Sequence, residues 1–152
     1  MNPLSMTASR STGHSLAPLR DGASIAVFKD RKILLVRRGR PPFSGLWSLP
    51  GGKVERQEAP REAACRELKE ETGIEADVAG VVDVVKIAGD ADRNNPSYRL
   101  TVFYGRPRSG RLKAGSDALA AEWVHLDEVE ALPLTEGTAD LIWAAAHKAR
   151  LP

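Results

Sequence analysis

Three glutamates, Glu67, Glu70 and Glu71, lie close together in residues 51–74, which run from a Gly-Gly pair through an acidic loop into a predicted helix. At 3.6 residues per turn, these glutamates fall within an arc of about 100° on the helix surface. Like charges this close are mildly destabilising unless a cation lies among them. Hard divalent cations such as Mg²⁺ are bound by oxygen ligands of this kind. The rest of the chain is therefore expected to support an acidic face that needs a cation.

The predicted helix spans residues 60–72. Pro60 suits its first turn, where the missing N–H is not needed, and Gly73 suits its C-terminal end. Ala64 and Leu68 stand four residues apart beside the carboxylates and form the predicted core stripe. The residues expected to face solvent are Arg61, Glu62 and Lys69. One side of this helix is thus predicted to pack while the adjacent side carries the acid.

Apolar and β-branched runs separated by polar turns predict strands along the rest of the chain. The predicted strands are residues 24–28, 33–36, a short strand with Trp47 and Leu49 on one face, 76–87, 98–104 and 120–126. The first two are expected to pair antiparallel. Residues 107–116 are predicted to form a loop, and two further helices are predicted, one capped by Asp127 and one capped by Thr135.

The size of the chain favours one domain with a core of its own. It has 152 residues, of which 42% are hydrophobic. Residues 1–20 hold Ser, Thr, Pro and two Arg but no acid, and we predict a flexible tail there and a single domain over residues 21–152. No apolar run is long enough for a secretory signal or a membrane span, which predicts a cytoplasmic protein.

Charge and cysteine content limit the partners. The formal net charge of +2 is too even to require a nucleic acid or a membrane, and the sequence has no long basic patch interleaved with aromatics. We therefore expect neither as a stable partner. Cys65 is the only cysteine, so the chain cannot form an intrachain disulfide or a zinc site built on several cysteines.

Residues just before the helix offer contacts for a ligand. Gly51 and Gly52 allow positive φ angles and a close approach of the backbone to a ligand. Arg37 and Arg38 follow a predicted strand, and they are either phosphate contacts or the solvated end of that strand. Trp47 is either a core residue or a stacking platform for a substrate.

The acidic stretch also contains a motif with fixed spacing. Gly52 is followed by five residues and Glu58, seven residues and Arg66-Glu67-Leu68, one residue and Glu70-Glu71, and one residue and Gly73-Ile74. This pattern resembles the box of the Nudix hydrolases, Gly-x5-Glu-x7-Arg-Glu-U-x-Glu-Glu-x-Gly-U with U aliphatic, and every fixed position is filled. The resemblance implies an α/β/α sandwich with a mixed central sheet. The segment before the helix looks like that of small bacterial Nudix proteins described as ADP-ribose pyrophosphatases or as MutT-like.

The resemblance also implies roles for individual residues. Glu67, Glu70 and Glu71 match the metal-binding carboxylates of the box, and the Gly51 carbonyl matches a further ligand. The residues that match the support of the site are Gly52, Glu58 and Arg66. An arginine beside an acid-rich face independently offsets repulsion, and contacts behind the ligands fix their geometry.

The reaction implied by the family is hydrolysis of a nucleoside diphosphate linked to another group, with Mg²⁺ as the expected ion and Mn²⁺ as a substitute. The general base is left open between Glu70, Glu71 and Asp117, and Asp117 is alternatively a turn residue. ADP-ribose-like substrates are favoured over (d)NTPs, including oxidised ones. A nucleotide-binding domain without catalysis is the alternative from another class, and a homodimer is a candidate assembly. The polar loop at residues 89–96 is a candidate specificity loop.

Overall fold

The computed structural model describes residues 18–41 and 43–151. Within these residues the chain forms seven strands and two α-helices: β1 (Leu19–Lys29), β2 (Lys32–Arg38), β3 (Trp47–Ser48), β4 (Gly51–Lys53), α1 (Pro60–Thr72), β5 (Ile74–Ile87), β6 (Ser97–Gly110), β7 (Ala118–His125) and α2 (Thr138–Lys148). Short 3₁₀ helices cover Ala91–Arg93 and Leu126–Ala131. No helix in the described residues is both long and apolar enough to cross a membrane.

The strands form one mixed sheet. Its main path runs β3-β2-β1-β6-β5, with β4 paired to β1 and β7 paired to β2. β1 and β6 are parallel from Leu19↔Ser97 to Val27↔Gly105, and the other strand pairs are antiparallel. The mixed sheet and the antiparallel pairing of the first two strands are therefore confirmed.

Helices cover both faces of β1, which makes the fold an α/β/α sandwich. Ile25 and Val27 belong to the core cluster that contains Leu68 of α1, whereas Ala26 and Phe28 belong to the cluster that contains Ile142, Ala145 and Ala146 of α2. A strand covered on both faces has a nearly continuous apolar sequence rather than an alternating one. This accounts for the unbroken burial from Gly22 to Phe28.

Local signals fix the ends of α1 where the sequence predicts them. Pro60 is the first helical residue, and Glu62 Oε1 accepts a hydrogen bond from the Ala59 N–H at 2.8 Å. Gly73 ends the helix with φ 78°, a left-handed conformation that glycine adopts at little cost, and its N–H donates to the Lys69 carbonyl at 2.9 Å. The helix 60–72 and its buried stripe, which includes Ala64 and Leu68, are confirmed.

The start of the first strand and one loop differ from the sequence predictions. The predicted tail covers residues 1–20, of which 1–17 lie outside the described residues, and β1 already begins at Leu19. Its first residues are exposed and gave no apolar signal, but they pair with the start of β6. The predicted loop at 107–116 is wrong at its start, because β6 continues to Gly110. Pro107 lies in β6 where the pairing with β5 shifts register, and a residue without an N–H is tolerated at such a bulge.

The two helices after β7 also begin at other N-cap residues than the predicted Asp127 and Thr135. The residue before the 3₁₀ helix is His125, whose side chain accepts a hydrogen bond from the Asp127 N–H at 3.2 Å. The residue before α2 is Gly137 rather than Thr135, and the Thr135 hydroxyl contacts the hydroxyl of Thr138 instead. In each case the capping residue is not the one that amino-acid preference alone favours.

β5 forms an outer edge of the sheet among the described strands. Its pairing with β6 shifts register at three places, between Glu75 and Ala76, between Val78 and Gly80, and between Val81 and Asp83. Three of its apolar side chains are about half exposed: Val81, Val84 and Ile87.

Candidate active site

β4 brings the glycine pair against β1. Gly52 is the partner of Ala23, and the Ile25 N–H donates to the Pro50 carbonyl at 3.1 Å just beyond the strand. In an antiparallel ladder, pairs that exchange hydrogen bonds alternate with pairs that do not. This register makes Ala23 and Gly52 the hydrogen-bonded pair, so the N–H and carbonyl of Gly51 point away from β1.

Gly51 therefore presents both backbone groups towards α1 rather than towards the sheet. Its N–H donates to Glu71 Oε1 at 3.2 Å. Its carbonyl is left for a partner outside the β1–β4 ladder. The carbonyl that matches a metal ligand of the Nudix box thus lies on the edge of β4 that faces Glu71 of α1.

The glycine pair is required by close approach. A Cβ at Gly52 would collide with the carboxylate of Glu67, and a Cβ at Gly51 would lie 2.6 Å from Cβ of Ser24. Neither glycine is among the described residues with positive φ. The predicted positive φ is therefore wrong, and the close approach in the structure is to the side chains of Glu67 and Ser24, while the predicted approach to a ligand stays a prediction.

Arg66 joins the helix to the loop before it. Its Nε lies 2.7 Å from Glu58 Oε2, its Nη2 lies 3.1 Å from Glu58 Oε1, and the same Nη2 donates to the Lys53 carbonyl at 3.1 Å. The hydrogen bond from Arg66 lowers the pKa of the Glu58 carboxyl, and the same contact raises the pKa of Arg66. Both groups stay charged, so this contact can hold the loop against α1 at any pH near neutrality.

The same guanidinium also lies between two of the three helix carboxylates. Arg66 Nη1 is 3.2 Å from Glu67 Oε2 and 3.3 Å from Glu70 Oε1. A cation at this place offsets the repulsion that the sequence pattern implies. Glu70 is the outermost of the three, with a side chain that is 59% exposed.

The Glu71 carboxyl is partly buried and lies beside that of Glu67. Burial of the Glu71 side chain, followed by the charge and the hydrogen bond of Glu67, raises the pKa of Glu71 to about 8. The Gly51 N–H and the charge of Arg38 act in the opposite direction. Burial and the neighbouring negative charge both disfavour the ionised form, so the Glu71 carboxyl favours its protonated form at neutral pH in the metal-free protein.

The donor atoms fit a hard divalent cation in their chemistry. Carboxylate oxygens of Glu67 and Glu71 and a backbone carbonyl are the ligands that Mg²⁺ and Mn²⁺ accept. Across the part of the chain that the structure describes, however, no three carboxylate, imidazole or thiol side chains already surround one point. The proton of Glu71 and the guanidinium of Arg66 balance the negative charge instead. A cation bound at Glu71 would displace that proton.

Asp117 lies in the turn before β7. Its Oδ1 is 2.8 Å from Nη2 of Arg40, and its carbonyl accepts a hydrogen bond from the Gly39 N–H at 3.2 Å. The same turn touches the end of α1, since the Gly115 N–H donates to the Glu71 carbonyl at 2.9 Å. The backbone of this turn is thus fixed beside the acidic helix, while the carboxylate of Asp117 is paired with an arginine.

The three substrate candidates before the helix separate into two groups. Arg38 is close enough to Glu71 for its charge to lower the pKa of that carboxyl. Arg37 is the strand partner of Trp47, and its Nε donates to the Gly45 carbonyl at 3.0 Å. Trp47 is half-buried and packs against the core cluster on the α2 side. Arg38 alone of these residues is placed beside the carboxylates by an electrostatic contact.

Comparison with known proteins connects this geometry to a family. Residues 18–143 match the family model of the NUDIX domain. The chain belongs to the Nudix family. The predicted family and the predicted α/β fold are thereby confirmed.

Several relatives of this Nudix protein are similar over most of the chain. It is 40% identical over 105 residues to an ADP-ribose pyrophosphatase of Methanocaldococcus jannaschii, covering 68% of this chain and 60% of that protein. It is 38% identical over 120 residues to putative 8-oxo-dGTP diphosphatase 2 of Mycobacterium tuberculosis, covering 76% of this chain and 83% of that protein. The chain thus spans less than two thirds of the archaeal relative.

Solved structures of the family have the same fold. The crystal structure of a MutT Nudix hydrolase from Burkholderia pseudomallei superposes with a TM-score of 0.74 at 34% identity, covering 83% of this chain and 97% of that one. An ADP-ribose pyrophosphatase from Streptococcus suis superposes with a TM-score of 0.70 at 28% identity, covering 86% of this chain and 92% of that one.

Sequence reasoning missed two residues next to the Nudix carboxylates. Arg40 holds Asp117, and only the cluster of three arginines at and just beyond the end of β2 hinted at such a contact. Ser24 lies under Gly51 with a side chain that is almost fully buried, and among the described residues its hydroxyl has no hydrogen-bond partner. A polar residue at the start of the apolar run SIAVF was the available signal.

Proposed function

We propose that this Nudix protein hydrolyses the diphosphate linkage of a nucleoside diphosphate derivative in a reaction that depends on Mg²⁺, with Mn²⁺ as a substitute. The observation that carries this proposal is geometric: the Gly51 N–H lies 3.2 Å from Glu71 Oε1, and the Gly51 carbonyl points away from β1 beside the helix that also carries Glu67 and Glu70. Carboxylate oxygens and a backbone carbonyl gathered in this way are ligands that a hard divalent cation accepts.

Each residue of the site has a defined task in this proposal. Glu67, Glu70, Glu71 and the Gly51 carbonyl would hold the cation. The cation supplies positive charge that neutralises the diphosphate and lowers the pKa of a water molecule. The ion pair of Arg66 and Glu58 holds the loop against α1. Gly52 leaves room for the Glu67 carboxylate. Arg38 adds positive charge near the same carboxylates and suits a phosphate oxygen. Arg37 and Trp47 remain candidates for contacts farther along the substrate.

A general base must take a proton from the attacking water. Glu70 and Glu71 are candidates on α1, and Asp117 is a candidate from the turn before β7. An Asp117→Asn variant tests the last of these: a fall of kcat by about 100-fold or more supports it. An Arg40→Gln variant is the control, because it removes the partner of Asp117 and leaves its carboxylate. Unchanged kcat in Asp117→Asn assigns the base to α1.

ADP-ribose-like compounds are the favoured substrates. Support comes from the Methanocaldococcus jannaschii relative, which is named an ADP-ribose pyrophosphatase and is 40% identical over 105 residues. The alternative is a (d)NTP pyrophosphohydrolase, including activity on oxidised nucleotides. It is favoured by the mycobacterial relative named a putative 8-oxo-dGTP diphosphatase, of which this chain covers 83%.

A substrate panel decides between these hypotheses. Purified protein with Mg²⁺ is incubated with ADP-ribose, NADH, dinucleoside polyphosphates, dGTP and 8-oxo-dGTP, and release of the mononucleotide is followed. We expect the highest kcat/KM on ADP-ribose. Preference for 8-oxo-dGTP would replace the substrate hypothesis, and no turnover on any compound would remove the hydrolase proposal in favour of a nucleotide-binding domain.

A Glu71→Gln variant links activity to the carboxylate site. We expect activity to fall by about 100-fold or more while the fold is retained. Glu122→Gln is the matched control, because Glu122 is an exposed carboxylate on β7. Full activity in Glu71→Gln would show that the cation is held elsewhere.

We further infer that the protein acts on free small nucleotides in the cytoplasm and forms no stable complex with nucleic acid or membrane. The near balance of charge, with 22 basic and 20 acidic residues, supports this inference. A homodimer is the candidate assembly, and light scattering of the purified chain measures it.

A further inference from the structure

A cavity outside the acidic helix opens at the start of the parallel strands β1 and β6. Its volume is about 330 Å³, within the range of small-molecule sites. The residues that line it are Pro18, Arg20, Ala91, Asn94, Asn95, Pro96 and Tyr98. We refer to it as the end cavity. None of the residues discussed for the diphosphate lies in its lining.

The loop that forms one wall of the end cavity is held in shape by its own hydrogen bonds. Asp90 and Asn95 exchange two backbone hydrogen bonds, each of 2.9 Å. The Asp90 side chain accepts from the Asp92 N–H at 3.0 Å, and the Gly89 N–H donates to the Ser97 hydroxyl at 3.0 Å. The wall is therefore organised before any ligand arrives, which reduces the entropy lost on binding.

The opposite wall is built by a strand pair. Arg20 of β1 and Tyr98 of β6 are direct partners in the parallel ladder, so their side chains emerge on the same face of the sheet. Tyr98 is half-buried, whereas Arg20 is exposed. An aromatic ring and a guanidinium thus stand side by side at the mouth of the cavity.

The lining has the chemistry of a site for an aromatic heterocycle. It contains a phenol ring for stacking, two side-chain amides with both donors and acceptors, and a guanidinium, and it contains no carboxylate. Asn amides and Arg guanidinium groups form paired hydrogen bonds with the edges of adenine and guanine, respectively. Stacking on a tyrosine ring is open to any base, so the polar groups favour a purine.

The end cavity lies close to the diphosphate site along β1. A Cβ on Gly22 would lie 3.3 Å from Cδ1 of Tyr98 and 3.4 Å from the carbonyl oxygen of Gly52. The ring of Tyr98 and the glycine pair of β4 therefore flank the same residue. By strand alternation, Arg20 and Tyr98 lie on the face of the sheet that packs against α2. A nucleotide with its base on Tyr98 would therefore reach the α1 carboxylates past Gly22 and the edge of β4.

We propose that the end cavity binds the purine base of the nucleotide substrate, with the base stacked on Tyr98 and its edge hydrogen-bonded by Asn95 and Arg20. This assignment rests on the proposed function, because it takes the substrate to be a nucleotide. In this proposal, the loop at residues 89–96 and the first residues of β1 determine which base is bound.

Binding measured without turnover tests the assignment. Calorimetry of the full chain in EDTA compares AMP, GMP, UMP and ribose 5-phosphate. We expect AMP or GMP to bind at least tenfold more tightly than UMP and ribose 5-phosphate, and the tighter of the two identifies the base. Equal affinities for AMP, GMP and ribose 5-phosphate, or no detectable binding of either purine nucleotide at millimolar concentration, would overturn the proposal.

Variants of the lining locate the binding. Tyr98→Leu is expected to weaken binding of the preferred purine nucleotide by about tenfold or more, whereas Tyr98→Phe keeps the ring and the affinity. Arg20→Gln is expected to weaken it several-fold, and Arg93→Gln is the matched control from the same loop outside the lining. Wild-type affinity in both Tyr98→Leu and Arg20→Gln would show that the base binds elsewhere.

The failure of this proposal is distinguishable from failure of the proposed function. If the protein hydrolyses nucleotides but the lining variants bind AMP and GMP as tightly as the wild type, only the proposal for the end cavity is overturned. Purine binding that depends on Tyr98, without hydrolysis of any nucleotide in Mg²⁺, overturns the hydrolase proposal and keeps the cavity as a base site.

Discussion

Arg66 holds both oxygens of one carboxylate, because its Nε lies 2.7 Å from Glu58 Oε2 and its Nη2 lies 3.1 Å from Glu58 Oε1. Such paired contacts fix the orientation of both groups as well as their separation. The remaining nitrogen of the same guanidinium reaches Glu67 and Glu70. One side chain therefore sets the position of the loop and of two carboxylates at once.

An Arg66→Lys variant should lose this geometry while keeping the charge, because an ammonium group cannot donate to all of these oxygens in a plane. We expect kcat/KM, or the affinity for Mg²⁺, to fall by about 10- to 100-fold. Steady-state kinetics and metal titration measure the effect. Arg61→Lys, an exposed arginine on the same helix, is the control, and equal behaviour of the two variants would contradict the role of Arg66.

The stability of the metal-free protein should depend on pH through Glu71. Its pKa is raised from 4.5 to about 8 in the folded protein, so between these pH values the folded state binds more protons than the unfolded state. The free energy of unfolding should therefore fall as pH rises from 4.5 to 8 and level off above that. Below pH 4.5 the carboxyl is protonated in both states and contributes no difference.

Urea unfolding in EDTA at pH 5, 6.5, 8 and 9 measures this dependence. Glu71→Gln removes the titrating group, so the variant should become more stable relative to the wild type as pH rises. Parallel stability curves for the two proteins would show that Glu71 titrates normally.

A Gly52→Ala variant should place a methyl group against the Glu67 carboxylate, where a Cβ would collide. Overpacking of this kind costs about 1–3 kcal/mol of stability, and the displaced carboxylate should bind Mg²⁺ more weakly. Thermal unfolding and metal titration check both effects. In the double variant with Glu67→Asp, the shorter side chain should restore stability but not metal affinity.

A Ser24→Ala variant should stabilise the metal-free protein. The hydroxyl is buried without a partner among the described residues, and such a group costs about 1–3 kcal/mol. We expect the free energy of unfolding to rise by about 1 kcal/mol. Thr72→Val is the matched control: the buried Thr72 hydroxyl donates to the Leu68 carbonyl at 2.6 Å and accepts from the Ile74 N–H at 3.1 Å. That variant should destabilise, and a loss of stability in both would mean that Ser24 has a partner.

Elements with strong local signals were predictable from the sequence. Helix α1 begins at Pro60 and ends before Gly73 as predicted, because a missing N–H and a left-handed residue act within one turn. β6 extends through Pro107 to Gly110 because β5 pairs with it along most of its length, and this pairing joins residues up to 36 positions apart, as Ile74 with Gly110. Contacts of that range leave no trace in a local pattern.

In the candidate site, too, local features were predictable from the sequence and long-range contacts were not. Helical spacing predicts that Glu67, Glu70 and Glu71 share a face, since it depends on the period of the helix alone. It does not predict that Arg66 contacts Glu58 and the Lys53 carbonyl, or that Gly52 leaves room for Glu67, because these contacts depend on how α1 docks on β4 and the loop after it. Nor does it predict that Arg38 lies near Glu71 while Arg37 contacts the Gly45 carbonyl, because these positions depend on where the end of β2 lies in the fold.

The three register shifts along β5 affect how the molecule behaves in a crowded solution. A regular strand of 14 residues at the edge of a sheet offers a template on which another chain can add a strand. Each shift interrupts the ladder and increases its twist, so a straight partner cannot follow the outer edge for more than a few residues. The half-exposed Val81, Val84 and Ile87 are distributed along this irregular edge. β5 can therefore keep its apolar side chains at the surface with little tendency to start a fibril.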